Sequence, residues 1–192
     1  MHELAELDRD LFLFLNDLNA PWLDQTMFFL TNTLVWLPLY AYLMFLIYRK
    51  YGLSSWIVLI GIALTIALSD QITSSILKPL FERLRPSRDP SLEGMVHIVN
   101  GYRGGLYGFA SSHAANTFGV AAFLSVLFYR DKKGIVALFA WAAFVSYTRI
   151  YLGVHYPGDI MVGAIIGAAC AFICVRTTQY VLAKASPRPT ED

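Results

Sequence analysis

Hydrophobic and polar residues fall into long separate blocks along this chain. Uncharged, mostly apolar runs cover Gln25 to Tyr48, Tyr51 to Ser69, Ser112 to Tyr129, Gly134 to Thr148 and Ile160 to Val175. At a rise of about 1.5 Å per residue, about 20 apolar residues cross a hydrocarbon core of ~30 Å. The runs therefore predict five transmembrane helices, the second continuing past Asp70 to about Leu77 and the last two extending to about Leu152 and Leu182. Ahead of them, Leu4, Leu7, Leu11, Leu15 and Leu18 recur at three- and four-residue spacing among Glu3, Glu6, Asp8, Asp10 and Asp17. That pattern predicts an amphipathic helix lying in the membrane interface within residues 1–24. The competing reading is a short sixth span starting near Leu11.

The expected architecture is an all-α polytopic membrane protein, one domain over residues 1–192. It is a bundle of five transmembrane helices, six on the competing reading, with an interfacial helix at 1–24, a loop at 78–111 and a polar tail at 184–192. A connection as long as 78–111 is unusual for a compact protein and is usually functional or disordered. No internal repeat or low-complexity segment stands out. No basic segment with a small-residue cleavage site precedes the first run, so the first span is expected to stay in the mature protein.

Composition supports a membrane class: 56% of the 192 residues are hydrophobic and 15% charged, against roughly 25% charged in soluble domains. Lys and Arg number 15 against 14 Asp and Glu, a net charge of +1, so there is no basic field for wrapping nucleic acid. Cys170 and Cys174 lie four apart in an apolar helical run and read as buried free thiols.

Charge placement orients the bundle. Arg49 and Lys50, then Arg130, Lys132 and Lys133, then Lys184 and Arg188 fall on one side by alternation, and those turns are expected to be cytoplasmic. The 78–111 loop and the junction near 149–159 then face the exterior of the inner membrane.

Three polar clusters converge on that exterior end. Lys78 closes the second span and Arg85 and Pro86 follow in KPLFERLRP; on a continuing helix, seven residues put both cations on one face. Taken singly, such cations also fit ordinary interfacial snorkelling. Ser111 is placed to cap the third span just before Ser112 and His113, and the free N–H groups of a helix start attract anions; simple capping is the alternative. Between the fourth and fifth spans, Arg149 precedes His155, and Asp159 starts the last helix where it reaches back to the imidazole. A His oriented by a carboxylate is either a metal ligand or a nucleophile or base.

Together the three stretches resemble the type 2 phosphatidic acid phosphatase (PAP2) superfamily, whose pattern K-x6-RP, PSGH and SR-x5-H-x3-D matches Lys78, Arg85 and Pro86, then Ser111 and His113, then Arg149, His155 and Asp159. The match spans residues 78–159. Ala110 stands where the family has Pro, Ser112 where it has Gly, and Thr148 where it has Ser.

The resemblance implies that His155 is a nucleophile forming a phosphohistidine, that Asp159 fixes its tautomer, and that His113 protonates the leaving oxygen and then activates water. Lys78, Arg85 and Arg149 would clamp the phosphoryl group, with Ser111 and the helix-start amide of Ser112 completing the cradle. No carboxylate cluster resembling a Mg²⁺ site accompanies them, so metal-independent, cofactor-free hydrolysis is expected. The expected partners are membrane lipids and a lipid phosphate substrate: undecaprenyl diphosphate first, with phosphatidylglycerophosphate, phosphatidic acid and lipid A phosphate behind it. A phosphotransferase and a non-catalytic phospholipid-binding or transport protein are the competing functions.

Several further residues carry two readings each. Tyr102, Tyr107, Phe109, Tyr151 and Tyr156 line tail access or form an interfacial aromatic belt. Arg88, His97 and Arg103 read a head group or are solvated loop residues. Asp70 inside a span has a partner near the site or a simple Ser or Thr hydrogen bond, and Glu82 pairs with Lys78 one turn away. Gly163 and Gly167 favour close packing within the bundle over dimerisation.

Overall fold

All five apolar runs are helical, but the first is broken in its middle. The computed structural model describes residues 2–185, so Arg188 and most of the polar tail lie outside the described residues. The helices are α1 (His2–Asp17), α2 (Pro21–Leu30), α3 (Leu37–Tyr51), α4 (Ser55–Asp70), α5 (Lys78–Phe81), α6 (Ser112–Leu127), α7 (Lys132–Tyr151) and α8 (Pro157–Ala185). A π-helical segment, Gln71–Leu77, joins α4 to α5 without a break. No strand occurs among the described residues; the only pairing of that kind is an isolated bridge between Leu84 and Tyr107.

The break in the first run has a local cause. The Asn32 side chain accepts a hydrogen bond from Leu34 N and caps a short 3₁₀ turn, Thr33–Trp36, while Pro38 suits only the first turn of the helix that follows. Residues 2–24 likewise fold as α1 and the start of α2, because Pro21 opens a new helix. Among the described residues, three helical stretches are long and apolar enough to cross a membrane, Thr33–Phe81, Lys132–Tyr151 and Pro157–Ala185, and α6 is a shorter apolar helix. The first of these bends at Gly52, whose φ of +53° suits glycine. Trp56, Ile60 and Leu64 on α4 and Met161, Ile165 and Ile173 on α8 are exposed, an apolar outer surface suited to acyl chains.

Helix α1 packs one narrow strip on the bundle and leaves most of its leucines and acids exposed. Leu4, Leu7, Leu11, Phe14 and Leu18 point outward, while Phe12 and Asn16 are buried against the bundle. The Asn16 amide donates to the carbonyls of Ile150, Tyr151 and His97 and its oxygen accepts from His97 N, which ties α1 to both the end of α7 and the long loop.

The core is centred on α6 and α8, the most extensive helix pair, with α4 and α7 packed around them. Phe123, Leu124 and Leu127 of α6 meet Ala171, Cys174 and Val175 of α8 and Val58 of α4. Both cysteines are buried and free. Gly163 and Gly167 serve packing inside the chain: a Cβ on Gly163 would lie 2.4 Å from Ser111 O, and one on Gly167 2.0 Å from Ala115 O. Such distances exist only without a side chain. Gly167→Ala is therefore expected to force the two helices apart and to destabilise the fold by about 1–3 kcal/mol. Thermal denaturation in detergent measures this; an unchanged midpoint would show that α6 and α8 separate at no cost.

Candidate active site

Two helix N-termini meet at one end of the bundle. Ser111 N donates to Asp159 O at 3.0 Å, which joins the start of α6 to the start of α8 by a backbone hydrogen bond. Ser111 is fully buried and its hydroxyl accepts from Ala114 N at 3.4 Å as the N-cap of α6. The end of α7 arrives through Gly153, whose φ of +70° terminates the helix and turns the chain so that Val154 and His155 pass beneath the loop. A side chain at Gly153 would also strike Val96 and His97 O.

His155 is buried and lies between an acid and a cation. Its Nδ1 is 3.3 Å from Asp159 Oδ2, and its Nε2 is 3.2 Å from Arg85 Nη1. A guanidinium can only donate, so Nε2 must be the accepting, unprotonated nitrogen and Nδ1 must carry the proton toward Asp159. The tautomer with a free Nε2 lone pair is thereby fixed. Burial, and then the charges of Arg85, Arg149 and Lys78, hold the His155 pKa well below its ordinary value. The ring is neutral at neutral pH.

The cations come from three elements. Lys78 does not share a helix face with Arg85, because α5 ends at Phe81 and Glu82 adopts a left-handed φ of +45°. Arg85 instead sits in extended chain and is held by Tyr107 O and Val154 O, at 3.1 Å each. Burial and the neighbouring Arg149 charge depress its pKa from the usual guanidinium value. Arg149 donates to Thr31 Oγ1 at 2.7 Å and Tyr102 OH at 3.2 Å, and its buried Nε has no hydrogen-bond partner. Lys78 Nζ donates to Ser112 Oγ at 2.8 Å and Ser74 Oγ at 3.2 Å. The π-helical turn directs Thr73 and Ser74 onto the same Ser112 hydroxyl, and Asp70 accepts from Ser74. Asp70 thus lies one hydroxyl away from Lys78. The Glu82–Lys78 pair is not among the ion pairs of the described residues; Glu82 bonds with Tyr107 instead. None of Lys78, Arg85 and Arg149 is ion-paired there, an arrangement that calls for an anion from outside.

His113 occupies the first turn of α6, half-buried, and lines an apolar cavity of about 370 Å³ that runs between α3, α4, α6 and α7. Trp36, Tyr40, Leu124 and Trp141 form its walls. The aromatic residues suggested by sequence do other work. Tyr102 bonds Arg149, Tyr151 is fully buried and donates to Asp24, Tyr156 lies under the Arg83 guanidinium, and Phe109 stacks on Phe81. Arg88 and Arg103 brace the loop through Gly104 O and Ser87 O, and His97 pairs with Asp24 at 2.8 Å. No group of three or more His, Cys, Asp or Glu side chains arranged for a metal occurs among the described residues.

Sequence reasoning missed Arg83, Thr31 and Gly108. Arg83 sits in the same KPLFERLRP string, but only the fold shows that it reaches Asp159. Thr31 is remote in sequence from Arg149. A Cβ on Gly108 would stand 3.0 Å from Asp159 Oδ2 and 3.3 Å from Arg85 Cγ.

The PAP2 superfamily model matches residues 55–183 of the chain. A lipid A 4′-phosphatase of Bacteroides thetaiotaomicron is 44% identical over 169 residues, covering 85% of this chain and 73% of the relative. Among solved structures, Aquifex aeolicus LpxE superposes with a TM-score of 0.67 at 31% identity, covering 88% of this chain and 95% of that one. A transmembrane PAP2-type phosphatidylglycerolphosphate phosphatase from Bacillus subtilis gives 0.64 at 21% identity, covering 94% and 89%, and shares the fold.

Gly108→Ala is expected to displace the Asp159 carboxylate and Arg85 by a few tenths of an ångström and to lower turnover about tenfold, given that displacements near 1 Å cost about a hundredfold. The thermal midpoint should stay close to that of the parent. Unchanged turnover would mean that the pocket relaxes around the methyl group.

Proposed function

The chain belongs to the PAP2 superfamily and is an integral membrane lipid phosphatase, and from that premise we propose that it hydrolyses the 4′-phosphate of lipid A through a phosphohistidine at His155. The observation that carries the mechanism is the His155 ring held between Asp159 and Arg85, with its attacking nitrogen deprotonated.

In the resting site Arg85 donates to Nε2. A bound phosphate offers its own oxygens to Arg85, Lys78 and Arg149 and so frees the lone pair for attack on phosphorus. The bond from Nε2 to phosphorus forms as the phosphorus–oxygen bond to the sugar breaks, and His113, protonated in the complex with the phosphate, gives that proton to the departing sugar oxygen. Asp159 stabilises the positive charge that develops on the imidazole. Water then attacks the phosphohistidine, with His113 as general base, and inorganic phosphate leaves. Ser111 and the Ser112 amide complete the cradle at the start of α6, where the helix dipole favours an anion.

The sequence reading ranks undecaprenyl diphosphate first; the 44% identical relative supports placing a lipid A phosphate monoester above it. The cavity beside His113 gives an acyl chain a place next to the leaving oxygen. By the alternation of basic turns the site faces the periplasmic side of the inner membrane.

Phosphate release from lipid A bisphosphate, undecaprenyl diphosphate, phosphatidic acid and phosphatidylglycerophosphate, in detergent with EDTA, tests the reading. Lipid A should be turned over fastest, vanadate should compete with it, and His155→Ala should lose at least about a thousandfold in turnover. Undecaprenyl diphosphate as the preferred substrate would overturn the assignment. Near-parental activity in His155→Ala would remove the nucleophile, and phosphate appearing on a lipid acceptor would make the enzyme a transferase.

The depressed pKa of His155 also sets a pH dependence. The neutral ring is the attacking form, so the contribution of His155 is lost as pH falls through its pKa in the folded protein, which lies below the ordinary value of about 6.5. The His155 imidazole, followed by NMR in the resting enzyme, should therefore stay neutral as pH falls through about 6.5. Protonation of this ring there would show that the cations do not act on the nucleophile.

A further inference from the structure

We propose that Arg83 is a positioning residue for the hydrolysis and that Asp8 of the N-terminal helix clamps it, so that α1 forms part of the catalytic apparatus. The proposal rests on the phosphatase reading above. Asp159 has no exposed side-chain surface, and its two oxygens serve different partners. Oδ2 faces His155 Nδ1 at 3.3 Å and accepts from Tyr156 N at 3.0 Å, whereas Oδ1 accepts from Arg83 Nη1 at 2.9 Å. Without Arg83, a buried carboxylate oxygen has no donor and the group can rotate away from the imidazole.

Arg83 is held on three sides. Its Nη2 donates to Asp8 Oδ2 at 2.7 Å, and its guanidinium lies over the Tyr156 ring at 3.9 Å. The second oxygen of Asp8 accepts from Gly158 N at 2.7 Å, so one carboxylate both fixes Arg83 and occupies a free amide at the start of α8, beside Asp159. The result is a continuous chain of contacts, Asp8 to Arg83 to Asp159 to His155, that begins on α1 and ends at the nucleophile. Arg83 differs from Lys78, Arg85 and Arg149, which are not ion-paired among the described residues, because both of its terminal nitrogens are committed to carboxylates. It therefore acts on Asp159 and leaves the phosphate to the others. The further charges that bear on this pair are Arg85, Arg149 and Lys78 on the His155 side and Asp89 at the Tyr156 hydroxyl.

The test compares the full-length chain with Arg83→Gln, Arg83→Lys and Asp8→Asn on the lipid phosphate that the parent turns over fastest. Arg83→Gln should lower kcat roughly a hundredfold with KM within about twofold, and should move the acid limb of kcat to higher pH by about one unit. Arg83→Lys, which keeps the charge, should recover about a tenfold share of that loss. Asp8→Asn, which can still accept from Gly158 N, should lose about fivefold in kcat. Parental kcat in Arg83→Gln, a loss confined to KM, or Arg83→Lys no better than Arg83→Gln would each overturn the proposal. If Arg83→Gln does not fold, Asp8→Asn decides, and parental kcat and pH profile there would overturn it. A parent silent on every lipid phosphate would instead refute the phosphatase reading, since the proposal predicts differences only among active proteins.

Discussion

The site depends on how closely α6 and α8 approach each other. Gly163 lets Ser111 O, and Gly167 lets Ala115 O, lie where a side chain would otherwise be, and the two helices can then exchange the Ser111 N to Asp159 O hydrogen bond at their starts. Both N-termini consequently direct the positive ends of their dipoles at one small volume. The start of α5 and the end of α7 close that volume with Lys78 and Arg149, and the loop lays Arg85 across it. A wider spacing would separate His113 from His155 and leave each as an ordinary helix-end histidine.

Charge is divided by function within this volume. The cation that builds the machinery, Arg83, is compensated by Asp8 and Asp159. The cations assigned to the phosphate have no ion-pair partner among the described residues, and burial of unpaired charge is costly unless a ligand completes the arrangement. The same uncompensated field keeps His155 neutral until an anion arrives. In the proposed reaction, bound phosphate screens those charges, and a positive imidazole becomes tolerable beside Asp159 at the moment when attack generates it. A single electrostatic imbalance thus favours binding of the anion and keeps the lone pair of the proposed nucleophile available until then.

Much of this was legible in the sequence, for identifiable reasons. Apolar runs report lipid-facing helices directly, and the fixed spacing of Arg149, His155 and Asp159 survives folding because one turn joins α7 to α8. The Lys78 to Arg85 spacing was legible only as a motif. Its helical explanation fails at Glu82, whose left-handed conformation ends α5 and turns Arg85 into the site by a different route. The break at Asn32 was hidden because Asn and Pro sit in a run without charges. Thr31 with Arg149, and Asp8 with Arg83, are contacts between residues far apart in sequence. No local pattern encodes such pairs; Asp8 was visible only as one of five acids among the leucines, with Glu3, Glu6, Asp10 and Asp17.

The membrane location also orders the steps of the proposed reaction. His113 stands where the polar cradle meets the apolar cavity, so the oxygen it protonates lies on the lipid side of the phosphate. An in-line displacement places His155 on the opposite face of phosphorus from that oxygen. While the lipid product remains, its chain and sugar occupy the side from which water must approach. Hydrolysis of the phosphohistidine therefore follows release of the lipid, and His113, deprotonated by its first proton transfer, is then positioned to serve the incoming water from the place the leaving oxygen has vacated.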